Sequence, residues 1–373
     1  MRERRLTRRS IVARVASGAL AAVIACAAAG AAQAEDAATR KLESVWKTAV
    51  PGDSKVGVFF GLRLRVQDDN RISLAAGYAL VTLDAAGKIL HRVVLPIRKN
   101  EEYASVPLQG GDFLVQPNAA ATGQMRLSRV SAEGRTRFAN VEKLPGEILG
   151  ILHDALLLPD GRILAAASYG PGPNAVLALL VFDAAGRRVA DHRTTIFLPA
   201  SEGMTRLYAQ FNDRELSGIS VIGMGSGPNG SGPFQKLFTF MGEVAVAPEA
   251  DFFGAGYLKC SAMNVGGSLL LGVSDPKGDN KRVTLRWLRY PGQEPETRDL
   301  EEADSCQIAL RRDGSSLVWL APRKLFAFDE DAKLLWRAEF AEDAVAVGWM
   351  SDGDIVAVHP SGAGANVVRY LAH

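Results

Sequence analysis

The chain has 373 residues, of which 47% are hydrophobic and only 7% aromatic, and its formal net charge is +2. This composition argues against disorder and favours many short strands joined by tight turns. The length exceeds the usual size of one hydrophobic core, which predicts either two domains or one modular array.

The first 34 residues have the composition of a secretion signal. A basic stretch, "MRERRLTRRS", precedes the apolar stretch "VASGALAAVIACAAAG", and "AQA" before Glu35 fits a cleavage site. The apolar stretch is too short and too poor in large residues for a good membrane-spanning helix. Residues 1–34 are therefore predicted to be a signal peptide, which predicts a periplasmic or secreted protein.

Two details of this leader leave alternatives open. "TRRSIVA", with Arg8 and Arg9, resembles a twin-arginine export signal, although an ordinary arginine-rich leader explains it as well. "VIAC" resembles a bacterial lipobox, which would make Cys26 a lipidated N-terminus and the protein a membrane-anchored lipoprotein. Cleavage after "AQA" would exclude that anchor. Membrane contact is predicted only through Cys26.

Removal of the leader changes the sign of the net charge. It takes away six Arg and one Glu, which leaves 37 basic and 40 acidic residues and a net charge of −3. A slightly acidic chain lacks the basic surface that nucleic acid requires, so no nucleic-acid partner is predicted.

After an N-terminal segment at 35–54, one turn-and-strand phrase recurs through residues 55–373. Its clearest copies are "LLPDGRILAA", "RRDGSSLVWL" and "WMSDGDIVAV". The first turns of the units fall at roughly even intervals, near Asn70, Gly111, Gly161, Asp213, Gly267, Gly314 and Gly353. A second turn follows the first six, most clearly in "TLDAAGKIL" and "VFDAAGRRV". Asp or Asn beside Gly at such points suits the positive φ of hairpin turns.

Each unit therefore reads as four short antiparallel strands, which is typical of a β-propeller blade. We predict an all-β propeller of seven four-stranded blades, with six or eight as alternatives. A pair of β-sandwiches explains the even spacing poorly. The last unit lacks an outer strand, and "KLESVWKTAV" at 41–50 is predicted to supply it and close the ring.

Over most of residues 40–373 this pattern resembles the secreted bacterial β-propellers, the broad group of WD-like and quinoprotein-like repeat proteins. The Trp-Asp ending of WD repeats and the tryptophan motif of quinoprotein blades are absent. The resemblance implies a fold, and no chemistry follows from it.

Propellers bind ligands where the innermost strands converge, and the innermost strand of each unit is predicted to precede its first turn. Eight residues before the turns lies a ring of Leu62, Tyr103, His153, Thr205, Lys259, Cys306 and Val345. If the register of a strand is shifted by one residue, a neighbour takes the ring position instead, such as Arg63, Asp154, Arg206 or Cys260. The candidate ligand-binding residues at the channel mouth are Arg63, Tyr103, His153, Asp154, Arg206 and Lys259.

No catalytic residue and no metal site are predicted. His153 with Asp154 has the composition of a base and its partner, but an ordinary histidine bonded to backbone explains the pair as well. No second histidine occupies an equivalent ring position, which disfavours a three-histidine metal site. No cofactor is predicted. Ca²⁺ stays a minor alternative that would use the loop carboxylates Glu101, Glu102, Glu202, Asp304 and Asp343.

Cys260 and Cys306 occupy almost the same place in consecutive units. In an oxidising compartment this pair favours a disulfide between blades, and two buried thiols are the alternative.

Two classes of function follow. The first is a non-catalytic binding or scaffold propeller, exported to the periplasm or anchored at the membrane, with a protein, peptide or glycan partner at its channel mouth or loops. The alternative is a propeller enzyme, either a metal-dependent hydrolase of the lactonase type or a cofactor-dependent dehydrogenase.

Overall fold

The structure is a computed structural model of the chain. It describes residues 38–51, 62–96, 101–119, 124–143, 150–169, 176–194, 205–212, 215–227, 230–241, 243–246, 251–264, 267–275, 281–288, 294–311, 313–362 and 364–372. The signal peptide predicted at 1–34, with Cys26, lies outside these residues, as does the turn predicted at Asp213.

The described residues form thirty strands and no helix, arranged in seven small sheets that lie in chain order. None of the described segments is therefore a helix suited to span a bilayer. Blade 1 consists of β3 (Arg63–Val66), β4 (Ile72–Ala76), β5 (Ala79–Leu83) and β6 (Ile89–Val94). Blade 2 consists of β7 (Glu101–Pro107), β8 (Phe113–Ala119), β9 (Gln124–Val130) and β10 (Thr136–Lys143). Blade 3 consists of β11 (Gly150–Leu157), β12 (Ile163–Tyr169), β13 (Val176–Phe182) and β14 (Arg188–Thr194).

Blades 4 and 5 follow the same antiparallel order. Blade 4 consists of β15 (Arg206–Asn212), β16 (Glu215–Gly227), β17 (Gly230–Met241) and β18 (Glu243–Val246), and β19 (Asp251–Phe252) also pairs with β17. Blade 5 consists of β20 (Tyr257–Met263), β21 (Leu269–Ser274), β22 (Arg282–Leu288) and β23 (Glu296–Glu302).

The last two blades include strands from the N-terminal segment, β1 (Ala38–Arg40) and β2 (Glu43–Val50). Blade 6 consists of β24 (Cys306–Leu310), β25 (Ser316–Leu320), β26 (Lys324–Phe328), β27 (Leu334–Glu339) and β1. Blade 7 consists of β28 (Ala346–Trp349), β29 (Ile355–Ser361), β30 (Gly364–Leu371) and β2. The all-β propeller of seven four-stranded blades is confirmed.

The turns have the backbone geometry that the sequence predicted. After the innermost strands, φ is positive at Asn70, Gly111, Gly161, Gly267, Gly314 and Gly353. At the second turns it is positive at Gly87, Gly134, Gly186 and Ala332. In the first turn of blade 3, the Gly161 N–H donates to the Leu158 carbonyl at 2.9 Å, and the Leu158 N–H donates to the Arg162 carbonyl at 2.8 Å. The connection therefore has three residues and ends on one residue with positive φ, and the Asp-Gly phrase marks one hairpin per blade.

The hydrophobic core is divided among the gaps between blades. Seven clusters of buried side chains each join one blade to the next around the ring, from blades 1 and 2 through to blades 7 and 1. The second strands are covered on both faces, and all six residues of β21 are buried. No blade could bury these apolar strands without its neighbours, which is why the ring must close.

The N-terminal segment closes the ring as predicted. Strand β2 pairs antiparallel with β30 as the outer strand of blade 7, with Val50 opposite Ala365. One feature was not predicted: β1 pairs in parallel with β27 and gives blade 6 a fifth strand. The edge of blade 6 is thereby covered.

Polar side chains also connect neighbouring blades at the inner strands. The Gln116 carboxamide accepts the Leu152 N–H at 2.6 Å, and the Gln307 carboxamide accepts the Val347 N–H at 3.0 Å. The first contact joins the second strand of blade 2 to the inner strand of blade 3, and the second joins the inner strands of blades 6 and 7.

Candidate functional site

The inner strands β3, β7, β11, β15, β20, β24 and β28 contact one another in succession and enclose a central cavity. Its volume is about 1000 Å³, and all seven blades contribute to its lining. We call the end of the cavity where the inner strands begin the upstream mouth. A cavity of this size on the axis of a closed ring is the natural place for a small ligand.

The predicted ring of residues divides into two groups. Leu62, Lys259, Cys306 and Val345 line the cavity, whereas Tyr103, His153 and Thr205 are not part of its described lining. In blades 3 and 4 the next residues, Asp154 and Arg206, line it instead, and Arg63 and Cys260 do so in blades 1 and 5. Of the six candidate ligand-binding residues, the structure therefore brings Arg63, Asp154, Arg206 and Lys259 to one cavity.

His153 lies inside blade 3 because the inner strand has a β-bulge there. Leu152 pairs with Ala167 and Asp154 with Ala166, so His153 is the extra residue. Its side chain is fully buried and its Nε2 lies 2.7 Å from the Ser168 hydroxyl oxygen. Burial, with Arg63 and Arg206 nearby, lowers the pKa of His153 to about 4, against the opposing effect of Asp154. The imidazole is therefore neutral near pH 7, as in an ordinary core histidine.

Tyr103 lies between blades 1 and 2. Its ring packs edge-on against Tyr78 with centroids 5.5 Å apart, and its hydroxyl donates to the Pro96 carbonyl at 2.9 Å. This side chain therefore contributes to blade packing, away from the cavity wall.

Three arginines dominate the chemistry near the upstream mouth. Arg63 is the first residue of β3 in blade 1, Arg65 lies two residues further, and Arg206 is the first residue of β15 in blade 4. Leu62 and Leu64 pack into the core between blades 7 and 1, so alternation along the strand turns Arg63 and Arg65 the other way. Blades 1 and 4 are three positions apart in the ring, which places these guanidinium groups across the cavity from each other.

The positive charge of Arg206 repels those of Arg63 and Arg65. Burial first, then the charge of Arg206, lowers the pKa of Arg63 to about 10, and Asp154 partly opposes this shift. The pKa of Arg65 is also lowered, mainly by burial, with Asp154 and Asp68 opposing. Arg63, Arg65 and Arg206 are each only half-buried, because they face the cavity. With a pKa of about 10, Arg63 remains charged near neutral pH.

Asp154 is held by the backbone. Its Oδ1 accepts the Ala155 N–H at 2.9 Å, and its Oδ2 accepts the Leu207 N–H of blade 4 at 2.9 Å. It links two blades, and its charge opposes those of Arg63 and Arg65.

Lys259 and the predicted calcium ligands have other contacts. The Lys259 ammonium donates to the Asp304 carbonyl at 3.1 Å, and Asp343 pairs with Arg323 at 2.6 Å. Glu202 and the side chains of Glu101 and Glu102 lie outside the described residues. The described part of the chain has no cluster of three or more acidic, His or Cys side chains arranged to hold a metal.

Cys260 and Cys306 form a disulfide between blades 5 and 6, with Cα atoms 5.5 Å apart. Both lie on the cavity wall and are almost completely buried. Gly272 of β21 lies directly against the bridge, since a Cβ there would come within 2.5 Å of the Cys260 sulfur.

Sequence reasoning missed several polar residues of the cavity wall, among them Arg65 and Tyr208. The Tyr208 hydroxyl donates to the Ser261 carbonyl at 2.7 Å, and burial raises its pKa to about 12. Both residues lie two positions after a predicted one, Arg63 and Arg206. The alternation in "RLRV" and "RLYA" was the signal that could have found them.

Comparison with solved structures supports the same fold. The chain is similar to BBS1N, solved in complex with ARL6DN and soaked with lead, at a TM-score of 0.58 and 10% identity over 90% of this chain and 98% of that one. It is also similar to the Pan2 WD40 domain of Neurospora crassa, at a TM-score of 0.56 and 8% identity over 89% and 96%. Raptor of Chaetomium thermophilum gives a TM-score of 0.51 at 12% identity over 84% of this chain and 28% of that one.

No protein-family model and no curated protein matches the chain. The structural neighbours are WD40 and other propeller proteins, so the likeness establishes the propeller fold and leaves the function to be argued from the site.

Proposed function

We propose that this seven-bladed propeller is an exported binding module without catalytic activity, which takes its ligand or partner at the upstream mouth of the channel. The single observation that carries the proposal is the cavity of about 1000 Å³ on the axis, with charged side chains from several blades on its wall. Side chains there are aligned by the closed ring, as a binding site requires.

The disulfide supports export. A bridge between Cys260 and Cys306 persists in the periplasm or outside the cell and is rare in a reducing cytosol. This agrees with the secretion signal that the sequence predicts at residues 1–34 and with the proposal of a periplasmic or membrane-anchored protein. Intact mass of the exported protein tests the leader: an N-terminus at Glu35 supports cleavage, and an acylated Cys26 supports the anchor.

A protein partner is the form of binding that the neighbours favour. BBS1N was solved in complex with a protein, ARL6DN, which supports the use of this fold as a platform for protein contacts. Peptide and glycan partners use the same surface in this proposal.

Photo-crosslinking tests where a partner binds. A photoreactive amino acid replaces Lys259 near the upstream mouth, Gln109 beyond the far end of β7, or Val189 on the exposed outer strand of blade 3. We expect crosslinked partners from Lys259 and none from Val189. Crosslinks from Val189 alone would contradict the proposal, and crosslinks from Gln109 alone would move the site to the opposite mouth.

Elemental analysis and an absorbance spectrum of the purified protein separate this function from the alternative enzyme. We expect neither stoichiometric metal nor a chromophore. Either one would support the metal-dependent hydrolase or the cofactor-dependent dehydrogenase.

A further inference from the structure

The central cavity is positively charged, although the chain without its leader is slightly acidic. Four cationic side chains, Arg63, Arg65, Arg206 and Lys259, face two carboxylates, Asp68 and Asp154, along its described wall. The local excess is therefore two positive charges. A cavity enclosed by low-dielectric walls strengthens the field of such an excess.

Two of these arginines have no hydrogen-bond or ion-pair partner in the part of the chain that the structure describes. Among the residues that the structure describes, neither Arg63 nor Arg65 donates a hydrogen bond or forms an ion pair. Arg206 donates to the carbonyl of its own neighbour Thr205 at 3.2 Å. Each guanidinium carries five N–H donors, so most of the donor capacity in the cavity is unused.

The two cavity carboxylates do not supply the missing contacts. Asp154 accepts two backbone N–H groups, and Asp68 accepts the Gln109 side chain at 2.8 Å. No described ion pair within 4.0 Å joins either carboxylate to an arginine.

Other arginines of this chain show the opposite arrangement. Arg129 binds the buried Asp112 at 2.7 Å, and Arg369 binds the buried Asp354 at 2.6 Å. Arg129 and Arg369 therefore have buried carboxylate partners, whereas the three cavity arginines have none among the described residues. Charged groups that are withdrawn from bulk water need compensation, which an external anion would provide.

We propose that the central cavity binds a small organic dianion, held between Arg63 and Arg65 of blade 1 and Arg206 of blade 4. The inference rests on the proposed binding function and names the ligand class of that site. The two negative charges of such a ligand would balance the excess of two positive charges on the cavity wall. Guanidinium forks bind carboxylate and phosphate oxygens in pairs, so the dianion is a dicarboxylate or a phosphate monoester.

The cavity wall favours an organic ligand over a bare inorganic ion. Leu156, Ala209 and the ring of Tyr208 lie among the charged groups on the same wall. They offer apolar contact for a carbon skeleton between two anionic ends. The volume of about 1000 Å³ is at the upper end of the range for small-molecule sites, so no rearrangement of the ring is required.

Isothermal titration calorimetry of the purified protein tests the proposal with defined probes. Succinate represents the dicarboxylate, methyl phosphate represents the phosphate monoester, and acetate and succinamide are the monoanionic and neutral controls. We expect one of the two dianions to bind, and the control compounds to bind at least about tenfold more weakly. The dianion that binds more tightly shows whether the site prefers a dicarboxylate or a phosphate monoester.

Variants locate the binding. We expect Arg63→Gln and Arg206→Gln each to weaken dianion binding by about tenfold or more, and Arg63→Lys to weaken it less. Arg187→Gln, on an exposed outer turn, is the matched control and should change nothing. Thermal unfolding of each variant, which should match the parent protein, shows that lost binding is not lost folding.

The results separate the two proposals. If neither dianion binds, or if Arg63→Gln and Arg206→Gln bind as well as Arg187→Gln, the dianion site is wrong. In that case crosslinking from Lys259 would still support the binding function with another ligand. If a dianion binds through the arginines while no partner crosslinks near the upstream mouth, the protein-partner form of the function is wrong and the site stands.

Discussion

The Asp154 carboxylate of blade 3 accepts the backbone N–H of Leu207 in blade 4, with 2.9 Å between oxygen and nitrogen. Its other oxygen accepts the Ala155 N–H. The same side chain therefore joins two inner strands and opposes the charge of Arg63 and Arg65. These two roles have opposite consequences for stability and for anion binding.

We predict that Asp154→Asn destabilises the fold and strengthens dianion binding. An amide accepts one of the two backbone N–H groups and presents its own N–H₂ to the other, which costs about 1–3 kcal/mol of unfolding free energy. Loss of the negative charge at the same time leaves the arginines less compensated. Urea unfolding and calorimetry with the stronger dianion measure the two effects. Asp160→Asn, in an exposed turn, is the control, and a parallel fall in stability and affinity would contradict the prediction.

We predict that stability falls between pH 6.5 and 4 through His153. Its pKa is about 4 in the folded protein and 6.5 in the unfolded chain, so the unfolded state binds more protons in this window. The contribution is fully present above pH 6.5, and about 3 kcal/mol is lost by pH 4. Urea unfolding across this range measures the slope.

His153→Gln should flatten that slope. Burial also lowers the pKa of His359, whose contribution has the same sign, so His359→Gln should remove a separate part of the dependence. A slope that is unchanged in His153→Gln would mean that this imidazole is protonated equally in both states.

The spacing of turns was sufficient to predict the architecture because each blade repeats the same local requirement. Each blade needs a residue with positive φ, such as Gly161 or Gly353, in the turn after its inner strand. It also needs an apolar second strand, because neighbouring blades cover both faces of that strand. The outer strand from residues 41–50 was predictable because one blade was a strand short. The parallel pairing of β1 was not, since three residues carry no alternation that fixes a partner.

The predicted ring lies within one residue of the cavity wall in blades 3 and 4, but Arg65 and Tyr208, two residues beyond predicted positions, were missed. The register slip that replaces His153 by Asp154 arises from a bulge, and a bulge depends on the pairing of two strands rather than on local sequence. The absence of described partners for Arg63 and Arg65 is a property of the assembled ring, which no single blade reveals. Sequence therefore indicated which strand ends face the cavity, and the three-dimensional arrangement defined the charge of its wall.

Trp46 of the closing strand leads to a further prediction. Its ring covers Gly87 in the outer turn of blade 1, where a Cβ would come within 2.6 Å of the indole. We predict that Gly87→Ala is more destabilising than Gly110→Ala, whose added Cβ would meet nothing within 4 Å. Both residues have similar positive φ, 82° and 87°, so both pay about 1–2 kcal/mol for the left-handed backbone. The excess in Gly87→Ala measures how firmly the closing strand is held, and equal losses in urea unfolding would mean that Trp46 moves aside freely.

Reduction of the disulfide gives the last prediction. The bridge closes a loop with a sequence separation of 46 residues, and constraint of the unfolded chain contributes about 4 kcal/mol in the entropic model. We expect a reductant to lower the free energy of unfolding by up to this amount. The double variant Cys260→Ala, Cys306→Ala is the control, because it should be less stable from the start and insensitive to reductant. Since both cysteines are among the residues that line the cavity, dianion binding measured with and without reductant shows whether blades 5 and 6 must be joined for the cavity arginines to hold their ligand. Equal stability of the oxidised and reduced protein would show that packing between the blades alone fixes this part of the ring.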